Sequence, residues 1–314
     1  MIRTLAALIA VAGLACAATP AAAPTRLIPP GVAIAGVHVG GLSAERARAR
    51  VEGALLQPVA VQRGAETTWI DPTKVDARTD VSAAVSSAFA ATPRSRIALP
   101  VAFSAAKAAR IVASIARQYD RAPVDAAVVG ATASGPVFSP AKAGLAVDRR
   151  TMRAAIGQLL RDGTRVPLRV LTKPVPAQKT AANFGPVIVI TRSANVLNLY
   201  DGPRLVRTFR VATGQAIYPT PAGIWQIMDK QRNPWWYPPT TSEWAKGLKP
   251  VPPGPSNPLG TRWMGLNAPG VGIHGTDAPS SIGYSASHGC VRMQVPDAEW
   301  LFEHVGVGTP VVIL

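Results

Sequence analysis

The stretch "SASHGCVRM", residues 285–293, sets His288 two places before Cys290 and Arg292 two places after it. The chain has 2 cysteines and 4 histidines, and His274, His288 and His304 share the C-terminal stretch with Cys290. A cysteine attacks as the thiolate, and a free thiol with a pKa of about 8.5 is mostly protonated at neutral pH, so Cys290 needs a base. His274 and His288 are the candidates. Residues i and i+2 of an extended chain point to one side, which would bring His288 to the thiol. Gly289 between them instead signals a tight turn, which favours His274. Such a turn would aim the N–H groups of Gly289 and Cys290 at one point, as a tetrahedral oxyanion requires. Arg292 supplies a fixed charge for a carboxylate. The competing reading is a buried, inert cysteine, and His304 on the final helical segment reads as structural.

These residues must be positioned by β structure. Val187 to Thr191, Val196 to Tyr200 and Leu205 to Val211 are strand-like runs separated by "RSAN" and "DGPR", a meander, and "TPAGIWQI" adds a strand after a Pro/Gly turn. Residues 230–262 are rich in Pro and Trp with little periodicity. Trp235, Trp236, Tyr237 and Trp244 mark this long loop either as a lid or groove wall, or as a satellite core.

Upstream, alternation followed by a 3.6-residue period gives strand then helix three times. The first helix starts at Ser43 as N-cap with Glu45 in its first turn. A strand over Ile97 to Phe103 precedes a helix from near Ser104, and a turn at Gly144 precedes a helix near Thr151 to Leu160. "VPLRVLTKPVPAQ" closes as a strand. This α+β segment holds His38 and no cysteine, and binding or spacing suits it better than chemistry. The Pro, Lys, Thr and Ala of "TKPVPAQKTAANFGP" mark a linker.

At 314 residues, 48% hydrophobic and 16% charged, the chain is long and apolar enough for about two domains. Residues 1–24 read as a secretory signal: Arg3, the run "LAALIAVAGLA", then small residues. The run falls short of the roughly 20 residues of a transmembrane helix. "GLAC" loosely matches a lipoprotein box, so Cys16 is a candidate for lipidation. Once Cys16 is removed with the signal, Cys290 is a lone thiol in an oxidising compartment, where cysteines usually pair. The formal net charge of +16 implies attraction to polyanions. For an exported protein these are anionic envelope polymers or head groups, not nucleic acid. The histidines and thiol lack the pairings of a zinc site. "GVHVGG" lacks the lysine of a phosphate loop and the spacing of a dinucleotide fingerprint. No cofactor or metal is expected.

"IHGTDAPSSIGYSASHGCVRM" resembles the signature of the L,D-transpeptidase (YkuD-type) catalytic domain, and the resemblance extends over about 186–314 through "TPAGIW", "NPLGTRWMGL" and "GTPVVIL". It implies Cys290 as acyl-accepting nucleophile and His274 as general base. Gly275 orients the imidazole, Ser287, His288 and Gly289 shape the oxyanion site and pocket, and Arg292 and Trp263 bind substrate. The resemblance also implies attack on the L-centre carbonyl of the third-position diamino acid of a peptidoglycan stem peptide, then resolution of a thioester by an amine into a 3-3 crosslink. Carbapenems are then expected covalent inhibitors. Family members often carry an asparagine shortly after the Arg-Met pair, where this chain reads "QVPD". "GVAIAGVHVGGLSAERA" and "AGLAVDRRT" resemble, less tightly, a peptidoglycan-binding domain that often precedes the catalytic one.

The expected organisation is a signal at 1–24, an α+β domain at 25–177, a linker at 178–185 and a mainly β catalytic domain at 186–314, an L,D-transpeptidase-like β-sandwich with a short helix. The expected site of action is the periplasm or cell wall. Alternatives are a carboxypeptidase using water, a non-catalytic basic envelope-binding protein on the same fold, and a thiol acyltransferase with another substrate.

Overall fold

The computed structural model describes residues 26–162 and 165–314. The signal reading and Cys16 lie outside them. By contacts the chain forms two compact units, one comprising the described residues through Ile115 together with Asp148–Leu171, the other Ala116–Val147 with Thr172–Leu314.

The first unit is α+β, as expected. Its helices include Ala44–Leu55 and Val81–Phe89. The Ser43 hydroxyl accepts the Arg46 N–H at 3.4 Å, and Asp80 accepts the Ala83 N–H at 2.8 Å, so each helix start has a side-chain cap. Ala47, Val51, Val81, Ala84, Val85 and Ala88 pack with Ile28, Val32 and Ile34 in one core. The first alternating run is two dipeptide strands, Ala33–Ile34 and Val37–His38, joined by Ala35 (φ 48°) and Gly36 (φ 80°). Two left-handed residues in a two-residue loop make a hairpin where the alternation suggested one strand. The strand expected at Ile97 to Phe103 is only Arg96–Ile97. Pro100 lacks the N–H that a ladder needs, and Ala102 is left to bridge Arg78.

The second unit carries the candidate chemistry. Its labelled strands are β1 Pro186–Thr191, β2 Val196–Asp201, β3 Arg204–Arg210, β4 Thr213–Gly214, β5 Gly223–Arg232, β6 Arg262–Leu266, β7 Gly272–His274, β8 Ser285–Ser287, β9 Val291–Arg292 and β10 Pro310–Ile313, with helix α1 Val295–His304 between the last two. Eight of them form one sheet in the order β3-β2-β1-β10-β5-β6-β7-β9, and β4 pairs with β8. The meander β1-β2-β3 is antiparallel, as read from the sequence.

All eight strands and α1 contribute to a single core, with Ile188, Leu197, Phe209, Ile227, Met264, Ile273, Val291 and Val311 packed on Ala298 and Leu301 of the helix. A flat sheet would not reach one core from every strand, so the two layers of the expected sandwich are parts of one curled sheet. The run "VIVI" in β1 shows no polar alternation because both sheet faces are covered. Ile188 and Ile190 enter the main core, while Val187 and Val189 meet Val128, Ala131, Phe138 and Phe184 on the other face. The hairpin Val128–Thr132 and Gly135–Phe138 thus packs with the β unit, although it precedes position 178 in sequence. Residues 178–185 are tied down as well, since Asp125 accepts the N–H groups of Gln178 and Lys179 at 2.7 and 3.0 Å. No helix among the described residues is long and apolar enough to cross a membrane.

Candidate active site

The site grows from the pairing of β7 with β9. They run parallel with Ile273 opposite Val291 and His274 opposite Arg292. Side chains alternate along a strand, so Ile273 and Val291, both fully buried, point into the core. Gly272, His274, Cys290 and Arg292 therefore share the opposite face, with the thiol diagonal to the imidazole. On the other side of β7, Trp263 of β6 stands opposite His274, and its ring lies over the imidazole with centroids 5.8 Å apart. A Cβ on Gly272 would come within 2.3 Å of that ring. Glycine is needed there because the indole occupies the space. Trp263, expected to bind substrate, thus has a defined contact of its own, and it holds the imidazole plane.

His274 is 4% exposed. Its Nδ1–H donates to the Gly275 carbonyl at 2.5 Å, which fixes the tautomer and leaves the Nε2 lone pair free. The Gly275 carbonyl is thus the backbone partner of the ring. Burial pushes the imidazole pKa down from 6.5 to about 4, the Gly275 bond opposes this, and the Arg292 charge adds to it. Burial likewise pushes the Cys290 thiol up, against the pull of the Gly272 N–H and Arg292. At neutral pH the two groups are therefore an uncharged imidazole and an uncharged thiol. Cys290 is half-buried and its Sγ faces the Gly270 carbonyl at 3.5 Å.

The turn before β9 is closed by one hydroxyl. Ser287, 1% exposed, donates to the Cys290 carbonyl at 2.5 Å and accepts the Gly289 N–H at 3.1 Å. Gly289 has φ +114°, a conformation that side chains oppose. The tight turn is present, but the Gly289 N–H is engaged by Ser287 and does not point free with that of Cys290 towards an oxyanion.

His288 stands outside this floor. It is exposed, and its ring lies on Trp244 with centroids 4.0 Å apart at 13°, and beside Tyr218 at 5.2 Å and 54°. Burial and the Arg292 charge lower its pKa, yet stacking, not proximity to the thiol, defines its place. Trp244 brings the Trp-rich loop against His288. The loop is held by Asn257, fully buried, whose amide donates to the carbonyls of Pro234, Val251 and Pro252 at 2.9, 3.2 and 3.1 Å. Tyr218, Asn257 and the Gly270–Gly272 backbone were missed in the sequence. Only the Asn within "GPSNPLG" and the glycine repeat in "APGVGIH" gave a local signal.

Arg292 is half-buried and, among the described residues, has no ion pair. Its backbone is fixed by two 2.9 Å bonds with Ala212. His304 is apart from the site, with Nδ1 donating to the Trp300 carbonyl at 2.7 Å and its ring stacked on Trp300 at 3.6 Å. His38 is exposed in the first unit.

A family model described as the L,D-transpeptidase catalytic domain matches residues 185–313, and one of a domain ascribed to peptidoglycan binding matches 69–167. The chain is similar to YkuD of Bacillus licheniformis, named as an L,D-transpeptidase, at 34% identity over 126 residues, covering 40% of this chain and 64% of that protein. It is similar to the like-named YqjB of Bacillus subtilis at 33% over 134 residues, covering 41% of this chain and 70% of that one. Among solved structures, an L,D-transpeptidase of Enterococcus faecium aligns over 84% of this chain and 98% of its own at 17% identity, with a TM-score of 0.37. The chain thus spans about two thirds of the length of these two curated relatives. The catalytic-domain match contains every element of the site just described, and with the relatedness to YqjB it leads to one conclusion: the chain belongs to the L,D-transpeptidase (YkuD) family.

Proposed function

We propose that the protein is an exported enzyme of the cell wall that transfers the acyl group of a peptidoglycan stem peptide through Cys290. The observation that supports this most is the shared face of β7 and β9, which pairs a thiol with a buried, neutral imidazole whose Nε2 is free. In the proposed step the thiol turns from the Gly270 carbonyl to His274. Nε2 takes the S–H proton as sulfur attacks the L-centre carbonyl of the third-position diamino acid. Because both partners start uncharged, the proton moves with the attack and no ion pair waits in the resting site. The Cys290 N–H is the backbone donor for the oxyanion, since that of Gly289 is engaged by Ser287. The imidazolium then protonates the departing amine of the terminal D-residue, leaving a thioester. An acceptor amine, deprotonated by His274, attacks the thioester, releases the thiol and forms a 3-3 crosslink. Arg292, lacking an ion pair of its own, offers its charge to a substrate carboxylate. The wall of Trp244 and Tyr218 excludes water, which would otherwise give a carboxypeptidase product.

The test is intact-protein mass spectrometry after incubation with a carbapenem, with product analysis on tetrapeptide-bearing muropeptides. The expected result is one adduct on the wild type, none on Cys290→Ala, and 3-3 dimers from the wild type alone. A folded wild type that gives neither adduct nor dimer would favour a retired, envelope-binding fold.

A further inference from the structure

The Trp-rich loop carries a second aromatic feature that the chemistry at Cys290 does not use. Trp235 and Tyr237 are 51% and 67% exposed, and their rings lie 6.3 Å apart at 25°. They are two residues apart on an extended segment, which puts both on one side of it. Trp236 between them bonds Val251 in both directions at 2.9 Å, and Asn257 holds the Pro234 carbonyl. Pro234, Pro238 and Pro239 stiffen the backbone around the pair. The two rings are therefore presented by a fixed backbone while adding nothing to a core. That is the arrangement of a preorganised binding surface, because little freedom remains to be lost when a ligand arrives.

The surroundings narrow the ligand. Residues 233–242, "NPWWYPPTTS", carry no charge and are rich in hydroxyl and amide groups. The nearest charges along the chain are neutralised in pairs, Arg232 with Glu303 at 2.8 Å and Lys246 with Glu243 at 2.6 Å. Across the bridge between Trp236 and Val251 stands Lys249, two residues from Val251, so an anion would meet a single lysine and not a cluster, and two rings make too small an apolar patch for a membrane. A pyranose ring fits both properties. Its axial C–H groups lie on the negative face of an aromatic ring, and its hydroxyls meet neutral donors and acceptors. The loop that bears the pair also places Trp244 on His288, two residues from the nucleophile.

From this geometry we propose that Trp235 and Tyr237 form a stacking platform for a sugar ring of the glycan strand, so that the enzyme selects stem peptides still attached to glycan. This rests on the peptidoglycan reading above, and its test separates the two. Chitotetraose, an oligomer of N-acetylglucosamine, is titrated into the full chain by calorimetry. The wild type should bind, the double variant Trp235→Ala with Tyr237→Ala should lose affinity on the order of tenfold, and the double Phe variant should retain it. With donors, the preference for a disaccharide-tetrapeptide over the free tetrapeptide, as a ratio of kcat/KM, should fall by a similar factor in the double Ala variant. No saccharide binding by the wild type, equal binding by the double Ala variant, or capture by phosphatidylglycerol vesicles in place of saccharide would each overturn the platform. Should the carbapenem experiment fail, the titration still decides whether the platform exists.

Discussion

The floor and the mouth of the site are built from different forces. On the floor, His274, Ser287 and Gly289 are fixed by hydrogen bonds to backbone atoms in a buried setting, each with one available geometry. At the mouth, His288, Trp244 and Tyr218 meet only through ring faces near solvent. Directional bonds suit atoms that must meet a reacting centre within tenths of an ångström, whereas stacking of ring faces tolerates sliding. The two histidines flanking the chemistry thus differ in kind, although each follows or precedes a glycine in similar sequence.

The comparison breaks first at the floor. Replacing Cys290 with Ala should abolish turnover, and His274→Gln should lower acylation by about 10²–10⁴-fold. Stopped-flow acylation by a carbapenem measures both, and a His288→Ala variant slower than His274→Gln would reverse the assignment of the base. The pH profile sharpens the same point. With His274 depressed to about 4, acylation should stay level as pH falls from 7 to 5 and decline only near 4. A limb near 6.5 would mean an exposed base. Alkylation of Cys290 by iodoacetamide, which requires a preformed thiolate, should rise only above the ordinary thiol range, because burial raises that pKa.

Folding is linked to the same imidazole. The folded pKa lies below the unfolded value of 6.5, so the unfolded chain binds the proton more readily in the window between them. The stability associated with neutral His274 is complete above about 6.5 and is lost as pH falls towards 4, reaching about 3 kcal/mol. Denaturant titrations at pH 7 and pH 4.5 should show a smaller loss in His274→Gln than in the wild type.

Ser287→Ala is next in size. It strips the partner from the Gly289 N–H and from the Cys290 carbonyl, and a buried group left unsatisfied costs roughly 1–3 kcal/mol. The melting temperature and acylation rate should fall together, since the same turn carries Cys290. An unchanged acylation rate would show that the turn stands without its hydroxyl.

Much of this site was legible because it is local. The pattern of His288, Gly289, Cys290 and Arg292 falls in five consecutive residues, and the need of a thiol for a base leads to His274. The meander was legible because β1, β2 and β3 are joined by short turns. What escaped depends on long-range pairing: Trp263 meets Gly272 only through the β6-β7 register, and Tyr218 reaches His288 only once β4 pairs with β8. The engagement of the Gly289 N–H by Ser287 escaped for a different reason, since a hydroxyl two residues away competes with the oxyanion for the same donor. In the first unit, Ala35 in a left-handed turn split an alternating run that nothing in its residue type would interrupt.

At the mouth the effects should be smaller and should fall on binding. Trp244→Ala removes the ring on His288, a contact worth about 0.5–1.5 kcal/mol beyond its buried area. The expected result is a KM for donor raised several-fold, with kcat within about twofold. A loss in kcat alone would move Trp244 from wall to positioning residue. Trp244→Phe should recover most of the KM, because stacking needs the ring face and not the indole N–H.

The smallest effect is expected at His304, which separates a histidine that resembles those of the site from one that belongs to it. It bonds and stacks on Trp300 within α1, so both contacts stay inside the helix. His304→Ala should therefore cost about 1 kcal/mol, the worth of one hydrogen bond and one ring contact near the surface, read as a small fall in melting temperature. Carbapenem acylation should match the wild type. If acylation fell tenfold while the melting temperature held, the helix would be transmitting a constraint to β9, and the line drawn here between floor and scaffold would have to move to include α1.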